Sequence, residues 1–304
     1  MPSPPCTRLR VNGSADPVGL DDSSIRFTWQ LPLDRPCATY DRVQVRVAAS
    51  PGDVTHGDNL VWDSGERRGG DVNAAVYGGA PVPPASRLYW SVRVWETGTD
   101  TPTDWAEPAF WETGIGAGED AWNDSAWIAR AVRLPRNPQL HCALFRRLFD
   151  VPEKNIASAR LYVATPGFFY AWVNGNQLAD IPCDPIPSNS MERVYYRTFD
   201  VGDLLRSGSQ SIGIRLASGY YSPSIHTSEH DVPVFRALLL VRFEDGDTFR
   251  LGTDRRWKTT EDFIRLSHRY TKAAGFGTET WNMDDTVGPW TDPDYDDAVW
   301  ESAD

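Results

Sequence analysis

The chain has 304 residues, enough for two or three domains, and its 40% hydrophobic content can fill their cores, which excludes wholesale disorder. Forty-two acidic against 30 basic residues give a formal charge of -12, which argues against a nucleic-acid backbone binder; the RRWK run at Arg255–Lys258 is too short to reverse that. No apolar run reaches the roughly 18 residues needed to span a membrane.

The N-terminus, MPSPPCTRLRVNG, lacks the apolar stretch of a signal peptide. The four cysteines, at 6, 37, 142 and 183, have no CxxC spacing and are too sparse to staple a chain of this length. Both features lead us to expect free thiols in the cytoplasm. Thirteen tryptophans, 11 tyrosines and 12 phenylalanines form a heavy aromatic load, suited to sandwich cores and to sugar-binding faces, where a ring face lies on pyranose C–H groups.

From the start the chain reads as strands: Ile25–Gln30, Tyr40–Ala48, Asn59–Trp62, Arg87–Glu96 and Ala109–Glu112. In YDRVQVRVAA, Val43, Val45 and Val47 alternate with polar residues, the mark of a half-buried strand. LYWSVRVWE carries aromatics on both parities, so its buried face stays open. The clusters LPLDRP, SPGDVTHGDN and GGAPVPPAS read as turns. About seven short strands at this spacing predict an immunoglobulin or fibronectin type III-like β-sandwich over 1–115, a spacer without visible chemistry.

A second all-β domain, a jelly-roll sandwich, is expected over 116–287. Its strands include LFRRLFDV, ASARLYVATPGFFYAWVNGNQLAD, ERVYYRTFDV, SQSIGIRLAS and FRALLLVRFEDGDTFRLGT. Asn174-Gly175 and the EDGDTF stretch with Gly246 are hairpin turns, and DVGDLL is too short for an independent helix. Residues 288–304 read as a linker or the start of a further domain. WNDSAW, Trp122–Trp127, is nearly repeated as YDDAVW, Tyr295–Trp300. We expect two similar corners in which Asp124 and Asp297 receive backbone N–H groups while Trp127 and Trp300 plug a core.

LVWDSGERRG and AAVYGGAPVPPASRLYWSVRVWETGTDTPTDWAEPAFWETG resemble the N-terminal fibronectin-like region of bacterial α-L-rhamnosidases. DAWNDSAWIA, RRLFDV, ARLYVATPGFFYAWVNGNQLAD, RVYYRTFDVGDLLRSGSQSIGIRLASGYY and GTETWNMDDTVGPWTDPDYDDAVW are similar to the jelly-roll domain that follows it. The resemblance implies accessory domains of a glycoside hydrolase whose catalytic acids lie in a C-terminal (α/α)6 barrel absent from this chain. It also implies a possible rhamnose-containing glycan as partner, with calcium bridging carboxylates and sugar hydroxyls. A hard cation wants six to eight oxygens. Asp180, Asp184, Asn189 and Glu192 of DIPCDPIPSNSME are the candidates, Asp184 and Asn189 foremost, with Asn174 on the neighbouring turn. Tyr220, which stands where the family writes tryptophan, or Trp281 would stack on the sugar ring, and Tyr221 is a further carbohydrate-binding candidate.

Two other readings stay open: a complete small glycosidase with its cleft between the domains, and a non-enzymatic lectin-like or scaffold protein. Inversion needs two spaced carboxyls. Asp284, Asp285, Asp294, Asp296 and Asp297 are abundant, but residues adjacent on a strand point to opposite faces. His226, Glu229 and His230 of HTSEH could begin a zinc site, although Pro223 and Pro233 on either side favour a polar loop. Cys142 and Cys183 show no arrangement for nucleophilic catalysis, and no phosphate-cradling glycine motif occurs.

Overall fold

The computed structural model describes residues 4–21, 24–32, 37–116, 118–130, 140–179, 181–182, 184–217, 221, 233–267 and 278–304. The chain divides into two compact units, 1–121 and 122–304. Both are built almost wholly of strands, as alternation predicts.

The first unit has eight described strands: β1 (Thr7–Val11), β2 (Arg26–Gln30), β3 (Tyr40–Ala48), β4 (Leu60–Asp63), β5 (Arg67–Arg68), β6 (Ala74–Val76), β7 (Arg87–Glu96) and β8 (Ala109–Glu112). They form a three-stranded sheet, β1-β2-β6, and a second sheet, β4-β3-β7-β8, with β5 on β3. Val43, Val45 and Val47 point into the core with Trp90, Val92 and Val94, while Phe27 of β2 stacks on Trp90 at 4.3 Å. This settles the buried face of LYWSVRVWE. Its other face carries Arg93 over Trp95 at 5.0 Å and over Trp105 at 4.7 Å, with Arg46 over Trp105 at 4.4 Å. Aromatics therefore occur on both parities because cation–π contacts cover the outer one. SPGDVTHGDN, read above as turns, contains the helix α1, Pro51–His56. Ser50 caps it by accepting the Asp53 amide, Pro51 opens it, and Gly57 at φ 82° ends it. Burial pushes the Cys6 thiol up to about 12.

The second unit contains β9 (Ile128–Ala129), β10 (Leu140–Val151), β11 (Ile156–Ala164), β12 (Phe168–Val173), β13 (Asn176–Gln177), β14 (Tyr196–Asp200), β15 (Gly208–Ala217), β16 (Val234–Phe243), β17 (Thr248–Gly252), β18 (Lys258–Ser267), β19 (Thr278–Trp281) and β20 (Glu301–Ser302). One sheet runs β13-β12-β15-β10-β18-β19, with β20 also on β18; the other runs β14-β11-β16-β17, with β9 on β16. The facing sides of the two sheets, including Phe145, Ile214, Leu161 and Leu239, enclose one apolar core. Asn174 and Gly175 both have positive φ, 49° and 79°, and make the expected tight hairpin between β12 and β13.

The two hexapeptides frame this unit, each wrapped around a buried arginine. Arg236 of β16 donates to the carbonyls of Trp122 and Ser125 and lies 5.4 Å from the Trp122 ring. Arg146 of β10, fully buried, donates to the carbonyls of Trp290, Asp292 and Pro293, pairs with Asp297, and lies 5.7 Å from the Tyr295 ring. Each hexapeptide then runs into a two-residue strand, β9 or β20. Ala129, the last residue of β9, and Asp304, just past β20, exchange backbone hydrogen bonds of 2.9 and 3.0 Å. Residues 288–304 pack on β10 through Trp290 and Trp300 against Leu144.

The expected corner chemistry is corrected in two respects. The Asp124 carboxylate pairs with Arg250 and that of Asp297 with Arg146, so guanidinium groups take the place of backbone amides. Asp296 is the residue whose carboxylate accepts a backbone amide, from Ala298 at 3.0 Å. Trp300 is buried as expected, whereas Trp127 is 42% exposed and Trp122 is buried in its place. Ile128 turns inward as β9 begins, and strand alternation sends its predecessor outward.

Candidate functional site

A cavity of about 350 Å³ opens on the face of the β13-β12-β15-β10-β18-β19 sheet that is turned away from the apolar core. The register explains its lining. In FFYAWV, Phe169, Ala171 and Val173 enter the core, which sends Phe168, Tyr170 and Trp172 to the outer face. In SIGIRLA, Ile212, Ile214 and Leu216 are likewise inward, leaving Arg215 outward and directly opposite Tyr170. Trp281, at the end of β19, forms a wall and packs edge-on against Phe263 at 5.6 Å. Half of its surface remains exposed.

Among the described residues lining this cavity, Arg215 is the one charged side chain. Its Nε lies 2.7 Å from Oδ2 of Asp262, whose side chain is fully buried, and its guanidinium carbon lies 5.7 Å from the Trp172 ring and 5.4 Å from the Phe263 ring. The pair is close but poorly aligned: neither Asp262 oxygen nor Arg215 Nε has a well-formed hydrogen bond. Burial pushes the Asp262 carboxyl up, and the charge of Arg215 opposes that rise. Such a surface, aromatic with a few polar groups and one oriented cation, can bind a ring with polar substituents.

Of the residues singled out from the sequence, the structure brings Trp281 to the cavity. Asp184 is buried beside it: its carbonyl accepts the Phe169 amide at 2.9 Å, and its carboxylate faces Arg197 at 3.4 Å. Burial raises the Asp184 carboxyl and Arg197 counters the rise. Asn189 is exposed in a turn where its side-chain oxygen accepts the Met191 amide. Asn174 braces the hairpin, donating to the Leu204 carbonyl and to Gln210 while accepting the Ser211 amide at 2.8 Å. Tyr221 is half-buried, and burial raises its phenol. Asp180, Cys183, Tyr220 and the HTSEH segment lie outside the described residues.

Asp184 and Asn189 do not fit a calcium ion. A guanidinium stands against the carboxylate of the first, a backbone amide takes the oxygen of the second, and a hard cation needs six or more oxygens. No cluster of three or more acidic, histidine or cysteine side chains suited to a metal exists among the described residues. The sequence reading missed Tyr170, Trp172, Arg215 and Asp262. The usable signal was FFYAWV itself, where aromatics on both parities require a purpose for the outer set.

A family model described as "Alpha-L-rhamnosidase N-terminal domain" matches residues 154–304, and one described as "Rha78A-like, N-terminal immunoglobulin domain" matches residues 6–117. An α-L-rhamnosidase of Formosa agariphila is 26% identical over 322 residues, which cover 96% of this chain and 33% of the relative. One from an Alteromonas species is 27% identical, covering 97% of this chain and 32% of the relative. Among solved structures, the α-L-rhamnosidase from Dictyoglumus thermophilum superposes with a TM-score of 0.87 at 26% identity, over 100% of this chain and 34% of that one. The chain thus spans about a third of the length of the relatives it matches.

Proposed function

The chain carries the paired N-terminal β domains of the α-L-rhamnosidase family, and from that premise we propose that it is an accessory region which supports a catalytic (α/α)6 barrel and holds a rhamnose-containing glycan in the aromatic cavity. Trp281 carries the sugar-binding reading: a large indole, half exposed, on the rim of a cavity floored by Tyr170 and Trp172. Its face can lie on a pyranose while Gln177 offers hydrogen bonds to hydroxyls. The accessory role is supported by the engagement of the acidic residues near the C-terminus. Asp296 and Asp297 are committed to Ala298 and Arg146, which leaves neither poised as half of an inverting pair.

Titration of the chain with L-rhamnose, followed by tryptophan fluorescence, tests the site. Trp281→Ala should weaken binding about tenfold, equivalent to about 1.4 kcal/mol, while near-ultraviolet circular dichroism stays otherwise native. Equal affinity in the two proteins would remove the assignment. Turnover of an aryl rhamnoside by the purified chain would overturn the accessory reading.

A further inference from the structure

The chemistry of the cavity floor goes beyond what a neutral deoxy sugar requires. Rhamnose offers hydroxyls and a methyl group, and neither calls for a guanidinium. Arg215 nevertheless lines the cavity, and it does so in a chain of net charge -12. Three neighbours surround it: Asp262 Oδ2 lies 2.7 Å from Nε, and the Trp172 and Phe263 rings lie within 6 Å of the guanidinium. The two Nη atoms take no hydrogen bond among the described residues. A guanidinium that turns Nε toward a buried carboxylate presents its Nη edge as a planar fork, which matches the spacing of two carboxylate oxygens.

We propose that the cavity recognises a pyranose bearing a carboxylate, a uronate, with the Nη edge of Arg215 taking the carboxylate and Trp281 covering the ring. This inference rests on the sugar-binding reading above and narrows its substrate class. Charge complementarity is local: in a chain this acidic, Arg215 supplies the cavity's attraction for an anion. Tyr170 and Gln177 border the same cavity and leave hydroxyl recognition to groups other than the arginine. The glycan expected is one in which uronate residues accompany rhamnose.

The test compares ligands that differ only at C6. Methyl glucuronide and methyl galacturonide are titrated against methyl glucoside and methyl galactoside by calorimetry, with methyl rhamnoside alongside. At least one uronide should bind ten or more times tighter than its neutral counterpart. Arg215→Gln should erase that preference, leaving uronide and neutral sugar with equal affinity in the variant, and Arg215→Lys should restore only part of it. Equal affinity for acid and neutral sugars, or binding of rhamnoside without either uronide, overturns the inference and leaves the sugar site standing. No binding of any of the sugars overturns both. Because the ligand comparison is made on the parent chain, it decides the matter even if the Arg215 variants fail to fold.

Discussion

Replacing Arg146 with alanine removes the side chain on which the last 17 residues are fastened. The guanidinium is fully buried and donates to three backbone carbonyls, of Trp290, Asp292 and Pro293, besides pairing with Asp297. Without it those oxygens lose their donors, and the carboxylate loses its counter-charge in a site where its own side chain is 18% exposed. Deleting one partner of a buried pair costs about 3–5 kcal/mol, and partial solvation of Asp297 holds the loss toward the lower end of that range. For a unit of this size the urea dependence is about 2 kcal/mol per molar, so the unfolding midpoint of the second unit should fall by roughly 1.5–2 M. Amides of residues 287–304 should lose hydrogen-exchange protection before those of β11 and β16. Arg146→Lys, which keeps the charge but cannot reach all four acceptors, should fall between parent and alanine. A midpoint shift below about 0.5 M would refute the view that one arginine fastens this segment.

The strands beneath the hexapeptides make a second prediction. A Cβ on Gly252 would sit 1.8 Å from the Asp124 carbonyl oxygen, and one on Gly213 would sit 2.7 Å from the Trp290 ring. Gly252→Ala should therefore cost about 2–3 kcal/mol or more, because backbone must move, and Gly213→Ala less, because a ring can shift; urea titration ranks the two. The buried Asp262 gives a prediction in pH. Its folded-state pKa is raised, so its contribution is fully present below the ordinary carboxylate value and is lost as pH rises through the raised one. Asp262→Asn cannot ionise, and its stability relative to the parent should improve as pH rises from the ordinary carboxylate value through the raised one. A difference that stays flat across that interval would show that Arg215 fully offsets the burial.

The strands were legible wherever alternation was clean. Tyr40–Ala48, Arg87–Glu96 and Ala109–Glu112 have the bounds read from the sequence, although only in Tyr40–Ala48 did the alternation also give the core face. The helix at Pro51 was not read, although Ser50, Pro51 and Gly57 are its cap, first residue and terminator; six residues are too few for periodicity to register. At the site, Trp281 was named as a ring-stacking candidate through the family resemblance. Arg215 was not, since an arginine at a solvent-facing position of a strand is ordinary until Trp172, Phe263 and Asp262 are seen around it. Those neighbours come from three separate segments, and pattern along the chain carries no information about such a meeting. Trp127 shows the converse error: a repeat of letters suggested a repeat of burial, yet the strand after each copy begins on a different parity.

The hydrogen bonds between Ala129 and Asp304 join the way into the second unit to the way out of it. A unit that ties its entry to its exit has no loose border from which to open. Opening of the unit at its entry must undo its exit in the same event, so the protection of these two segments from hydrogen exchange should belong to both jointly rather than to each alone.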